Sequence, residues 1–175
     1  QHAMAYDSQR GATVMFGGVV GGLVGDTWER PSDSPSVTST FGSGCGNPVL
    51  DLAPVSGAGP IIGTTAQASL TNVPTPPSIA FVALGWSTTT TGAFPLPLPL
   101  DTFGMPGCFL LQSSEAAAEP TTITGPGTAT FSLPLPGITG LIGVQLYLQG
   151  WAVAPGANPS GTIVSNGVSW LIGNT

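Results

Sequence analysis

The chain has 175 residues, among them 26 glycines and 18 prolines, but only two basic side chains, eight acidic ones and a single histidine. Charged residues make up 6 % of it, against about 25 % in an ordinary soluble domain. A formal net charge of −6 with no lysine leaves no basic patch to neutralise phosphates and excludes nucleic acid as a partner. Gly, Pro or Thr breaks every apolar stretch well before the ~18 residues that a membrane span needs. The 41 % hydrophobic content and mean hydropathy of +0.35 oppose disorder despite the Gly and Pro.

In chain order, a strand-forming segment comes first. It holds Met4 and Tyr6, then Ala12–Phe16 with Val14, Met15 and Phe16. The Gly-rich run at residues 17–22 reads as a hairpin connection, because no helix follows it to hold a phosphate. Pro31-Ser32-Asp33-Ser34-Pro35 is a polar, proline-bracketed linker. The expected division is therefore a strand segment at 1–30, a linker at 31–37 and one domain at 38–175, long enough for a single β-sandwich core. Within that domain, short β-branched and aromatic segments lie between Gly, Pro and Asn at 64–70, 78–86, 107–112, 128–133, 144–153 and 168–172.

Ala129, Phe131 and Leu133 alternate with Thr128, Thr130 and Ser132. Leu146 and Leu148 alternate in the same way with Gln145, Tyr147 and Gln149. One face should be buried and the other wet, as in an antiparallel sandwich. Residues 78–86 are apolar on both faces and belong at the centre of a sheet. Residues 95–100, Pro-Leu three times over, lack alternate ladder donors and should form an extended edge or a loop over the core. Only residues 114–119 have helical composition, and Pro120 stops them after little more than one turn. The fold class is thus all-β, an antiparallel β-sandwich of jelly-roll or Ig-like kind.

Cys45 and Cys108 both sit among turn-forming residues, without zinc-ligand spacing. A disulfide between them would stabilise the fold by about 4 kcal/mol through the long loop it closes; two buried free thiols are the alternative. A first residue of Gln rather than Met points to a trimmed, mature product. With the cysteines and the absence of lysine, this predicts a secreted protein, extracellular or at a cell surface. Thr88, Thr89, Thr90 and Thr91, and equally residues 36–40, are candidates for O-linked sugar or plain loop and strand positions.

Two resemblances add to this. His2-Ala3-Met4-Ala5-Tyr6-Asp7-Ser8, the stretch from Arg10 to the Gly17-Gly18 doublet, and Gly25-Asp26-Thr27-Trp28-Glu29 resemble one kelch repeat over residues 2–29. Phe41-Gly42-Ser43-Gly44-Cys45, Leu84-Gly85-Trp86-Ser87, Leu96-Pro97-Leu98, Gly104-Met105-Pro106-Gly107-Cys108 and Val164-Ser165-Asn166-Gly167 resemble the small β-sandwich module that closes many secreted bacterial kelch-type proteins. The second resemblance implies fold and setting but no chemistry. A single propeller blade cannot bury its own faces, so an N-terminal segment like this one needs something to tie it down. It either folds back on its own sandwich or joins a neighbour's sheet. Burial of Met4, Tyr6, Val14, Met15 and Phe16 would contribute at most roughly 8–15 kcal/mol, against an association cost of about 4–15 kcal/mol.

Catalytic signals are sparse. His2 is a poor place for a triad base, being two residues from the start. The acids Asp7, Asp26, Glu29, Asp33, Asp51, Asp101, Glu115 and Glu119 are scattered, and no Asp-rich loop suggests calcium. A weak cation contact at Asp51 or Asp101 competes with turn capping. Trp86, Trp151 and Trp170 could form a sugar-stacking platform, though strand tryptophans usually serve the core. The resulting expectation is a non-enzymatic filament subunit without metal or cofactor. It would polymerise with copies of itself by donating N-terminal strands through Met4, Tyr6, Val14, Met15 and Phe16. A monomeric adhesin recognising surface glycans is the alternative.

Overall fold

A computed structural model describes residues 3–9, 12–19, 23–31, 33–76 and 78–175. The strands run β1 (Ala3–Asp7), β2 (Ala12–Val19), β3 (Leu23–Pro31), β4 (Val37–Phe41), β5 (Asp51–Pro54), β6 (Thr65–Thr71), β7 (Ala80–Gly85) and β8 (Thr90–Thr91). They continue with β9 (Phe94–Pro95), β10 (Leu98–Pro99), β11 (Phe109–Leu110), β12 (Ala117–Pro120), β13 (Thr122–Gly125), β14 (Thr128–Pro134), β15 (Gln145–Val153) and β16 (Thr162–Leu171). The only helical turns among the described residues are two short 3-10 turns, Asp101–Phe103 and Thr139–Leu141. The chain divides into two compact units, Gln1–Ser34 with Thr175, and Pro35–Asn174.

The first unit is an antiparallel three-stranded sheet in the order β1-β2-β3. Met4 pairs with Met15 and Met15 with Trp28, which places these three side chains in one row on one face. Ala5, Val14 and Glu29 form a row on the other face, as do Ala3, Phe16 and Thr27. A bulge follows Phe16, where Gly17 takes the left-handed conformation (φ 75°) that glycine adopts without strain.

The second unit is an all-β sandwich. Its five-stranded sheet has the order β12-β7-β15-β16-β4 and its four-stranded sheet the order β13-β14-β6-β5, with every pairing antiparallel. Alternation builds the core: Leu52, Ala68, Leu70, Ala129 and Phe131 point inward from one sheet, and Val82, Leu84, Leu148, Val168 and Trp170 from the other. The Phe131 and Trp170 rings stack across the two layers, with centroids 6.0 Å apart. Cys45 and Cys108 are joined in a disulfide that ties the segment after β4 to the segment before β11. At Thr121 the chain passes from β12 in one sheet to β13 in the other, and the Thr121 hydroxyl donates to the Ala80 carbonyl (2.9 Å) at that corner.

Several expectations need correction. The helical composition at 114–119 does not yield a helix: Ala117–Pro120 pairs with β7, because ladder bonds to that strand's free side outweigh the small helix preference of Ala and Glu. Of residues 78–86, Ala80–Gly85 form the strand, which lies inside the sheet between β12 and β15 as expected, with β15 the middle strand. Only Phe109–Leu110 of the 107–112 segment is strand. Gln149, expected on a wet face, is fully buried, because residues 109–114 cross over it. Its Nε2 donates to the carbonyls of Phe109 (2.9 Å) and Ser165 (2.8 Å), and its Oε1 accepts from the Leu111 N–H (3.0 Å). Gln112 is equally buried, its Nε2 donating to the Ala83 carbonyl and its Oε1 accepting from the Ser114 N–H. Both amides are thus satisfied, as burial demands. The Pro-Leu run at 95–100 is extended, contributing to the two-residue ribbons β8-β9 and β10-β11 and burying Leu100.

Candidate assembly interface

The N-terminal sheet carries apolar side chains that its own three strands cannot cover. Met4 is 65 % exposed, Tyr6 62 %, Phe16 56 % and Trp28 62 %. Val14 and Met15 are half-buried, and Ala12 is buried. Met4, Thr13, Met15, Trp28 and Glu29 line a shallow groove of about 380 Å³. Trp28 is fixed over it by its Nε1, which donates to the Asp26 carboxylate (2.9 Å). The five residues expected at a subunit interface therefore lie on both faces: Met4, Tyr6 and Met15 on one, Val14 and Phe16 on the other.

The three larger sheets have six edge strands among the described residues: β1, β3, β12, β4, β13 and β5. An open edge invites pairing with another chain, and prolines, charges and bulges are the usual devices that block it. β3 carries Asp26, Glu29, Arg30 and Pro31, and β12 ends in Glu119 and Pro120. β13 is interrupted by a bulge between Ile123 and Gly125. β5 ends in Pro54, and its edge is closed from within by Asn166. The Asn166 Oδ1 accepts from the Leu52 N–H (2.8 Å) and its Nδ2 donates to the Leu52 carbonyl (2.9 Å). A bulge in β16 opposite Gly150 aims Asn166 there, with Ser165 Oγ accepting from the Gly150 N–H (2.8 Å).

Two edges remain. β4 reads Val-Thr-Ser-Thr-Phe, without charge, proline or bulge. β1 reads Ala-Met-Ala-Tyr-Asp, with a charge only at its end. Beside β4 runs a groove of about 410 Å³ lined by Ser36, Thr38, Pro54, Val55 and Ile61 among others.

The remaining candidates are scattered. Trp170 is in the core, Trp151 stacks on Phe81 (5.9 Å) and Trp86 is 54 % exposed, so the three do not form one platform. Asp51 opens β5 and Asp101 opens a 3-10 turn. Among the described residues no group of three or more His, Cys, Asp or Glu could hold a metal ion; His2 lies outside them. Thr89 and Thr90 are exposed, while the Thr91 hydroxyl donates to the Ser113 carbonyl (3.0 Å) and Thr88 is half-buried. Residues 37–40 of the second candidate sugar run are strand positions in β4. No helix of the described residues is long and apolar enough to cross a membrane.

Comparison with protein-family models, with curated proteins and with solved structures finds no match to this chain. The β4 edge and the Asn166 bridge were not legible beforehand. A Ser/Thr strand has no hydrophobic alternation to reveal it, and the bridge depends on which strands become neighbours.

Proposed function

We propose that this chain is a non-enzymatic structural subunit of an extracellular filament, assembled head-to-tail through its N-terminal strands. The observation that supports this reading best is the three-stranded sheet itself, with four large apolar side chains more than half exposed. Three of them, Met4, Tyr6 and Trp28, share one face, and an exposed apolar face of this kind marks an interaction surface. β1 and β2 pair with each other, so the element offered to a neighbour is the sheet as a unit rather than a lone strand. In the kelch-like reading it is a blade short of one strand, since propeller blades have four. The Cys45–Cys108 disulfide suits an oxidising, extracellular setting.

Head-to-tail contact between unlike surfaces does not close on itself and propagates into fibres. Electron microscopy of the full chain beside a chain of residues 35–175, which keep the whole sandwich core and the disulfide, tests the proposal. Filaments from the full chain and monomers from the shortened one are expected. Monomers from both would overturn it and turn attention to glycan binding near the exposed Trp86.

A further inference from the structure

We infer that the acceptor of the N-terminal sheet is the β4 edge of a second copy, with β1 of one chain adding beside β4 of the next. The inference rests on the filament reading and names its missing partner. Three observations carry it. First, of six edges, β3, β12, β13 and β5 each carry charge, proline, a bulge or an internal cap, whereas β4 has none of these and β1 only a terminal acid. Second, a chain of net charge −6 repels its own copies, least where acids are absent; β4 has none and β1 only Asp7 at its end.

Third, the side chains fit. Along β4, Thr38 and Thr40 pair with the core residues Trp170 and Val168, whereas Ser39 pairs with Ser169 on the outer face. A strand laid beside β4 therefore presents alternate residues to the groove between Thr38 and the 54–61 segment. β1 has large side chains, Met4 and Tyr6, on one face and small ones, Ala3 and Ala5, on the other. With Met4 and Tyr6 turned into the groove, two of the apolar side chains that the N-terminal sheet leaves exposed become covered, and Ala5 lies on the same side as Ser39. A second β4 in that place, with the same face turned inward as in its own sheet, would offer only Thr38 and Thr40 to the groove. The result is a continuous eight-stranded sheet across two copies, held by main-chain hydrogen bonds as in other strand additions.

The full-length chain tests this in two ways. Thr38→Lys sets a charge at the groove, a block that natural edges use, and should abolish filaments while near-ultraviolet circular dichroism stays native. Separately, Ala5→Cys and Ser39→Cys chains, which leave the edges open, are mixed and mildly oxidised. A disulfide-linked heterodimer should form far faster than either homodimer. Filaments that persist in Thr38→Lys, without a heterodimer, would overturn the β4 assignment yet leave the filament reading standing. Ser39→Cys homodimers as the main product would overturn it in favour of β4 on β4. Monomers alone from the unmodified chain would overturn the filament reading itself.

Discussion

The two units are built from the same kinds of residue, but only the sandwich seals large rings away, while leaving Trp86, Phe94 and Phe103 more than half exposed. In the sandwich, Phe131 and Trp170 meet in a sealed interior between two sheets. In the N-terminal sheet, Phe16 and Trp28 stand more than half in solvent, because one layer of three strands has no second layer of its own to close over them. The difference is one of layers, not of hydrophobicity. A sheet is stable when one face is buried against something, and the first unit provides only one of the two surfaces that such burial requires.

Matched substitutions can break or sharpen this contrast. Trp170→Ala should lower the unfolding free energy of the sandwich by about 4–5 kcal/mol, as a fully buried, stacked ring leaves a cavity. Denaturant melts monitored by circular dichroism would read it. Replacing Cys45 and Cys108 with serine should cost about 4 kcal/mol, because the bridge spans a sequence separation of 63 residues; reduction of the unmodified chain should match it in the same melts. Asn166→Ala leaves the Leu52 N–H and carbonyl unpaired inside the fold, a loss of about 2–4 kcal/mol. Smallest of all, Trp28→Ala should shift the sandwich melt by no more than about 0.5 kcal/mol, as exposed sites do, while weakening assembly. A large loss of stability from Trp28→Ala in dilute protein would erase the contrast.

The sandwich was legible wherever one face had to be buried. The Ala129-Phe131-Leu133 and Leu146-Leu148 alternations gave two of its strands, and the turn residues around Cys45 and Cys108 allowed the close approach that the disulfide requires. What depended on neighbours was not legible. Gln149 has the pattern of a wet position, but residues 109–114 bury it and satisfy its amide. Ala117–Pro120 has helical composition, yet β7 recruits it as a strand. At the candidate interface, Met4, Tyr6, Val14, Met15 and Phe16 stood out as strand formers with nothing to bury against. The strand that would receive them did not, since Val37–Phe41 is mostly Ser and Thr and its significance lies in an unblocked edge.

On the proposal above, the N-terminal sheet is completed by another copy of the chain. Hydrogen–deuterium exchange at rising protein concentration tests it most directly, because an open edge strand gains protected amides only when a partner pairs with it. Protection across residues 3–9 and 37–41 should rise together with concentration while the amides of β15 stay constant. Exchange in both segments that does not change with concentration would contradict the claim.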